Sequence, residues 1–240
     1  MKLYPKLDEE FKTNLIAEFK ADREQHIPSG KLSASSLHKP LLWQILKYLE
    51  VPRIEDDYLP MKFQRGKDVE KSFLKRIENN TEDQQKDIEY MGVVGNIDAL
   101  YRTQEYGILP LEIKSVTSFK FKHIKIENMP DEQYQLQGTL YALAQKTSKY
   151  LITIVNSDDF RPMTFLMDTE TLHREVVRII EDYDKALQTR TMPVFIPRYK
   201  WQENSKYSDY PEFTTLTADQ ILELLKVKYP LSYEKWVKLK

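Results

Sequence analysis

The first third of the chain alternates apolar and polar residues with the period of amphipathic helices. Residues 8–25 place apolar side chains on one stripe, and a second segment runs from the capping residues Ser35 and Ser36 to about Leu49. A third segment spans roughly Gln64 to Glu78. This pattern predicts a helical N-terminal lobe followed by a further helix.

After residue 86 the pattern changes to short β-like runs that alternate with helical ones. The predicted elements are strands near Ile88–Tyr90, Val93–Tyr101 and Ile108–Val116, a helix from about Asp131 to Ala144, strands Tyr150–Val155 and Met163–Met167, a helix from Glu170 to about Leu187, and a last helix beginning at Thr217. This order predicts one α/β domain, in which helices flank a central mixed sheet. The expected segments are the lobe (1–62), a core (63–190), and a C-terminal tail and helix (191–240).

The amino-acid composition limits which metal ions and cross-links the chain can contain. The 240 residues contain no cysteine and four scattered histidines, so disulfides and cysteine-ligated iron–sulfur clusters are excluded. Any metal ion must therefore be held mostly by oxygen ligands, which favours Mg²⁺ or Mn²⁺. The net charge of −1 neither indicates nor excludes a nucleic-acid partner.

Hydropathy predicts a soluble protein. No run of 18 apolar residues occurs, and the N-terminal residues lack the apolar region of a signal peptide. We therefore expect no membrane association, no secretion and a cytoplasmic location.

The first candidate catalytic residues are Glu112 and Lys114, which lie on the same predicted strand. Residues two apart on a strand share a face, so both side chains point away from Leu111 and Ile113. Such a pair alone is also typical of a solvated edge strand with an ion pair.

Asp98 favours a functional role for the Glu112–Lys114 pair, because it lies within a neighbouring predicted strand, where aspartate is uncommon. An antiparallel hairpin through the polar residues 102–107 would bring Asp98 close to Glu112. Two neighbouring carboxylates repel each other unless a cation lies between them, so the sequence predicts a divalent metal site. Glu70 lies on the apolar stripe of its helix and is a candidate third ligand, although it could equally reach water from the edge of the stripe.

The helix after the sheet carries Gln133, Gln137 and Tyr141 at intervals of four residues. Amide and phenol groups can bind phosphates or base edges. Glutamine and tyrosine are also common on the solvent side of amphipathic helices.

Four segments in order make up a pattern that resembles the PD-(D/E)XK nuclease superfamily. They are Gly66–Glu70 (GKDVE), Gly95–Asp98 (GNID), Glu112–Lys114 (EIK) and Gln137 followed four residues later by Tyr141. The pattern is most similar to the RecB-like branch, which includes AddB-type, CRISPR-adaptation, mitochondrial genome maintenance and phage exonucleases. The resemblance extends over about residues 33–190 and implies a restriction-endonuclease-like core.

The resemblance also implies roles for these residues. Glu70, Asp98, Glu112 and the carbonyl of Ile113 would hold one or two Mg²⁺ or Mn²⁺ ions, and Lys114 would position the attacking water and stabilise the transition state. Gln137 and Tyr141, with Gln133, would orient the metal site or the DNA strand.

Three departures from the family pattern are visible. Many members have histidine where this chain has Glu70, no proline precedes Asp98, and the four cysteines of an iron–sulfur cluster are missing. We therefore expect a cluster-free form, in which the tail around 201–211 packs through its aromatic residues near 35–40.

Residues 113–126 contain four lysines, one histidine and no acid, interleaved with phenylalanines. Lys120, Lys122 and Lys125 are predicted DNA contacts, since lysines bind phosphates and aromatic rings stack on unpaired bases. The alternative is a strand with a solvated basic face and core phenylalanines. The segment Arg198–Trp201 has a similar composition and the same alternative.

The sequence thus predicts a metal-dependent DNA nuclease, an exonuclease on DNA ends or single strands in recombination, repair or phage DNA processing. Recombination or replication proteins are possible partners, and the sequence leaves the oligomeric state open. Two alternatives remain: a structure- or site-specific endonuclease on the same core, and a catalytically degenerate DNA-binding or assembly protein.

Overall fold

The structure, a computed structural model, describes residues 30–53, 58–204 and 208–239, together with Thr13, Ala17 and Glu18. The helix predicted over 8–25 therefore lies outside the described residues, apart from those three. Within the described part, no helix combines the length and the apolar character needed to cross a bilayer.

The described elements follow the predicted alternation of helices and strands. In chain order they are α1 (Leu41–Tyr48), α2 (Leu59–Ile77), β1 (Thr81–Tyr90), β2 (Val93–Arg102), β3 (Ile108–Val116), α3 (Ser118–Glu127), α4 (Glu132–Ala144), β4 (Lys149–Asn156), β5 (Pro162–Asp168), α5 (His173–Thr189), α6 (Ala218–Lys228) and α7 (Pro230–Val237). Thr217 and Gln220 form the predicted capping box at the start of α6.

The strands of the described chain form one mixed sheet in the order β1-β2-β3-β4-β5. β1, β2 and β3 are an antiparallel meander, β4 pairs parallel to β3, and β5 returns antiparallel to β4. The parallel step requires a crossover, which α3 and α4 supply. The prediction of an α/β fold with a central mixed sheet is confirmed.

The structure contains two helices that the sequence did not predict, α3 and α7, and some predicted elements differ in extent. The second helix begins at Leu41 rather than at Ser35, because Pro40 occupies its N-cap and a separate 3-10 turn covers Ala34–Ser36. β1 is ten residues long, although its first half is polar and exposed. Residues 118–127 form the helix α3, with the Thr117 hydroxyl accepting from the Lys120 amide, rather than the continuing strand that was the alternative for this segment.

The sheet is covered on both faces, and its side chains alternate between them. Leu111 and Ile113 of β3 pack with Val69 and Leu74 of α2 on one face. On the other face, Tyr150, Ile152 and Ile154 of β4 pack with α3 and α4. Glu112 and Lys114, which alternate with the leucine and isoleucine, therefore face the α4 side.

The C-terminal tail closes against the N-terminal part of the fold. Lys39 Nζ lies 2.5 Å from Asp209 Oδ2, and Gln202 Nε2 donates to the His38 carbonyl at 3.1 Å. Trp43 stacks on Phe195 with 5.6 Å between ring centroids. The segments near 35–40 and 201–211 thus meet through an ion pair and an amide hydrogen bond, whereas the aromatic stacking lies just outside them, between Trp43 and Phe195.

Candidate active site

The β2–β3 hairpin brings Asp98 and Glu112 together as predicted. Ala99 of β2 lies opposite Leu111 of β3, so Asp98 and Glu112 come one position further along the two strands. The Ile113 amide donates to Asp98 Oδ2 at 2.6 Å, which fixes the aspartate against the neighbouring strand. The hairpin geometry thus places both carboxylates on the sheet beneath α4.

Glu112 is the most deeply buried acid of the site, with 1% of its surface exposed. Lys114 Nζ contacts its Oε1 atom, which confirms that the two side chains share a face. Glu112 Oε2 accepts no hydrogen bond from any residue that the structure describes. A buried carboxylate oxygen without a donor is costly unless another positive group binds it.

Burial and the charges of their neighbours shift the pKa values of these three groups. Burial, and then the charge of Glu112, raise the pKa of Asp98 well above its ordinary value. Burial also raises the pKa of Glu112, although Lys114 opposes the shift. Burial alone would lower the pKa of Lys114, but Glu112 and Asp98 outweigh it and raise that pKa, so the lysine is an ammonium ion at neutral pH.

The donor set fits a hard divalent cation. Asp98 and Glu112 offer carboxylate oxygens, one of them without a partner among the described residues, and burial, aided by neighbouring acids, raises the pKa values of both carboxyls. A cation between the two carboxylates would relieve both their repulsion and their desolvation.

Glu70 lies near this pair but is held toward a different neighbour. Its charge contributes to the raised pKa values of Asp98 and Glu112, while its Oε1 accepts from Gln85 Nε2 at 2.7 Å. Gln85 has a positive φ of 55° and lies in β1, between the residues that pair with Ile97 and Ala99. Among the residues that the structure describes, no three His, Asp or Glu side chains are close enough to ligate one metal ion, so Glu70 as the third ligand stays a prediction.

α4 forms the other wall of the site. Gln137 and Tyr141 are buried rather than solvent-facing, and Gln137 Nε2 donates to the Tyr141 hydroxyl at 2.7 Å. Burial, and then Glu112, raise the pKa of Tyr141, which therefore stays protonated. Gly95 makes room for this ring, because a Cβ at that position would lie 2.7 Å from Tyr141 Cε1.

Gln133, the first residue of the predicted polar row, lies at the outer end of this wall. It is half-buried, and its Nε2 is 3.5 Å from Asp131 Oδ2. The structure thus places Gln133, Gln137 and Tyr141 on one helix in the predicted order, with burial increasing toward Tyr141.

The sequence analysis missed Tyr134. Lys114 Nζ lies 5.9 Å from the centroid of its ring, within the range of a cation–π interaction. Burial, and then Asp131, raise the pKa of the phenol, so it is neutral at ordinary pH. Its position three residues before Gln137 and seven before Tyr141 was an available signal, since that spacing returns to the same helix face.

The predicted basic contacts divide between the surface and internal ion pairs. Lys122 and Lys125 of α3 are exposed, while Lys120 Nζ lies 2.8 Å from Asp131 Oδ1. Arg198, from the second basic segment, is held between Glu132 at 2.5 Å and Glu175 at 2.6 Å. Arg198 therefore fits the alternative of a structural charge.

Comparison with solved structures identifies the fold. The chain is similar to the crystal structure of SSO0001, with a TM-score of 0.58, 16% identity, and coverage of 87% of this chain and 98% of that one. It is also similar to an alkaline exonuclease (LHK-Exo) from Laribacter hongkongensis, with a TM-score of 0.53, 17% identity, and coverage of 72% and 93%. The same exonuclease in complex with dAMP gives a TM-score of 0.50 at 17% identity, covering 67% and 89%. No protein-family model and no curated protein sequence matches the chain.

These similarities confirm the PD-(D/E)XK-like fold that the sequence pattern predicted. Within the residues that the structure describes, the chain has a mixed five-stranded sheet flanked by helices, an architecture similar to that of the alkaline exonuclease. Identities of 16–17% establish the fold and leave the activity to be argued from the site itself.

Proposed function

We propose that this protein is a metal-dependent DNA nuclease that hydrolyses phosphodiester bonds, acting as an exonuclease on DNA ends or single strands. The observation that carries the proposal is the group of the buried acids Asp98 and Glu112 and the half-buried Lys114, with one carboxylate oxygen lacking a partner among the described residues. The similarity in fold to an alkaline exonuclease supports it.

In this proposal Asp98, Glu112 and the carbonyl of Ile113 hold Mg²⁺ or Mn²⁺, with Glu70 as a further ligand. The bound ion would polarise the scissile phosphate and lower the pKa of a water molecule. For Glu70 to take part, its side chain must exchange the Gln85 amide for the metal site.

Lys114 supplies the positive charge that the chain itself contributes to the reaction. Its raised pKa keeps it protonated, so it can donate to a phosphate oxygen or to the attacking water but cannot act as a base at neutral pH. The neutral Tyr134 ring lies beside Lys114 and helps to position its ammonium group through a weak cation–π interaction.

The remaining site residues orient the substrate. Gln137 and Tyr141 form a rigid hydrogen-bonded pair under the catalytic strands, and Gln133 extends the same helix face toward solvent. Lys122 and Lys125, exposed on the adjacent helix, bind the phosphates of the DNA strand, and Lys120 joins them by exchanging Asp131 for a phosphate. Recombination, repair or phage DNA processing are the settings in which such an activity would serve.

Degradation assays test the proposal directly. End-labelled linear single- and double-stranded DNA and closed circular DNA would be incubated with Mg²⁺, Mn²⁺ or EDTA, using the wild type, Lys114→Ala, and Lys226→Ala as an exposed-lysine control on α6. We expect metal-dependent loss of linear DNA with circles spared, and a loss of rate of at least about 100-fold in Lys114→Ala alone.

The other outcomes distinguish the alternatives. Cleavage of circles would make the protein an endonuclease on the same core. DNA binding without cleavage under either metal would favour the degenerate binding protein and refute the catalytic roles of Asp98, Glu112 and Lys114.

A further inference from the structure

Helix α3 carries apolar side chains on two opposite faces. Phe121 and Ile124 are buried against the sheet, whereas Phe119 is 82% exposed and Ile126 is 85% exposed. At 100° per residue, Phe119, Lys122 and Ile126 fall within about 60° of one another, on the side away from the core. We call these three residues the outward stripe.

Packing within the described fold does not explain the outward stripe. Exposing two large apolar side chains to water is unfavourable. Because Phe119 and Ile126 lie on one helix face, they indicate a surface where a partner molecule binds.

The positive charge in and beside the outward stripe favours an anionic partner. Lys122 lies within it and Lys125 flanks it, both exposed, while Glu127 at the helix end is close to His123. Lys120 is already paired with Asp131. A surface that combines exposed lysines with an aromatic and an aliphatic side chain is complementary to a strand that offers both phosphates and bare base faces.

The position of α3 connects the outward stripe to the active site. Ser118, the first residue of α3, follows Lys114 by four residues, and the Lys120–Asp131 ion pair ties α3 to the start of α4, which carries Tyr134 and Gln137. With a rise of 1.5 Å per residue, Phe119 and Ile126 are about 10 Å apart along the helix, which is the length of about two or three nucleotides.

We infer that the outward stripe of α3 binds an unpaired DNA strand as it enters or leaves the active site, with Phe119 and Ile126 against bases and Lys122 on the backbone. In a duplex the base faces are covered by their neighbours, so only unpaired nucleotides can use these two side chains. The inference rests on the proposed function and narrows its substrate class to single strands and frayed ends.

Binding in EDTA tests the inference separately from hydrolysis. Fluorescence anisotropy would measure the Kd of a labelled single-stranded 20-mer and of the matched blunt duplex. The variants are Phe119→Ala, Ile126→Ala, Phe119→Trp and, as a matched control, Leu231→Ala, whose side chain is 80% exposed on α7. Thermal melting of each variant would confirm that it is folded.

Phe119→Ala is expected to weaken single-strand binding by roughly 5- to 100-fold and duplex binding by less than about 2-fold, with Phe119→Trp restoring the affinity. Lys122→Ala should weaken both by a similar factor and reduce the slope of log K against log salt by about one. Leu231→Ala should match the wild type.

Unchanged single-strand affinity in Phe119→Ala, equal losses on both DNA forms, or no binding by the wild type would overturn the inference. So would a concentration-dependent dimer in sedimentation that Phe119→Ala abolishes, since a second copy would then cover the stripe. An inactive wild type whose single-strand binding still depends on Phe119 would refute the proposed function and leave the inference standing. If the wild type cleaves DNA but its single-strand binding does not depend on Phe119, the inference is refuted and the proposed function stands.

Discussion

Replacing Asp98 by asparagine should stabilise the metal-free protein while removing its response to metal. The paired register of β2 and β3 ends at Ala99 and Leu111, and Asp98 and Glu112 come one position beyond it on the two neighbouring strands, where facing Cβ atoms are about 5 Å apart. Two unit charges at about that distance repel by about 3 kcal/mol at an effective dielectric constant of 20. Lys114 offsets part of this repulsion.

We therefore expect Asp98→Asn to raise the free energy of unfolding of the metal-free protein by about 1–3 kcal/mol at pH 8. For a chain of this length that corresponds to an increase in Tm on the order of 2–10 °C. The asparagine oxygen can still accept from the Ile113 amide, so the backbone contact survives.

The increase in the free energy of unfolding caused by Asp98→Asn should depend on pH. Because the folded state raises the pKa of Asp98 above its ordinary value of 3.8, the folded protein binds a proton that the unfolded chain releases. The wild type without metal therefore loses stability as pH rises toward and through that raised pKa, and the advantage of Asp98→Asn shrinks as pH falls.

Scanning fluorimetry in EDTA at several pH values, and then with millimolar Mg²⁺ or Mn²⁺, provides the measurement. Metal should raise the Tm of the wild type and leave that of Asp98→Asn unchanged, while Glu223→Gln, an exposed carboxylate on α6, should behave as wild type in every condition. A lower Tm for Asp98→Asn in EDTA at pH 8, or a difference independent of pH, would refute the reasoning.

Two further substitutions probe the walls of the site. Gly95→Ala places a Cβ 2.7 Å from the Tyr141 ring, so we expect a loss of roughly 1–3 kcal/mol in denaturant unfolding and a fall in hydrolysis rate; unchanged stability would show that the ring can move aside. Tyr134→Leu removes the ring beside Lys114 and should lower kcat several-fold with little change in KM. Tyr134→Phe should retain most of the rate, and equal effects of the two variants would exclude a role for the ring face.

Local patterns were sufficient to predict much of the site. Glu112 and Lys114 had to share a face because strand residues alternate, and the polar stretch between β2 and β3 indicated the hairpin that brings Asp98 to them. The helical spacing of Gln137 and Tyr141 likewise placed both on one helix wall. These inferences needed only the periods of the backbone and the cost of an isolated buried charge.

Other features depended on contacts between segments distant in sequence. Residues 118–127 form a helix because the chain must cross from β3 to the parallel strand β4, and lysines interleaved with phenylalanines carry no period that decides between helix and strand. The ion pairs of Arg198 join residues 66 and 23 positions apart, so composition alone could not separate a structural arginine from a DNA contact.

The sequence by itself determined the order of the strands and of most helices, the exclusion of cysteine-based chemistry, and the identity of the acids and the lysine at the candidate site. Only the tertiary structure decided that Glu112 has an oxygen without a donor among the described residues, that Glu70 points to Gln85, that Tyr134 covers Lys114, and that Phe119 faces solvent. The reason is physical: periodicity fixes which side of an element a residue occupies, whereas its partner depends on which other segments pack there.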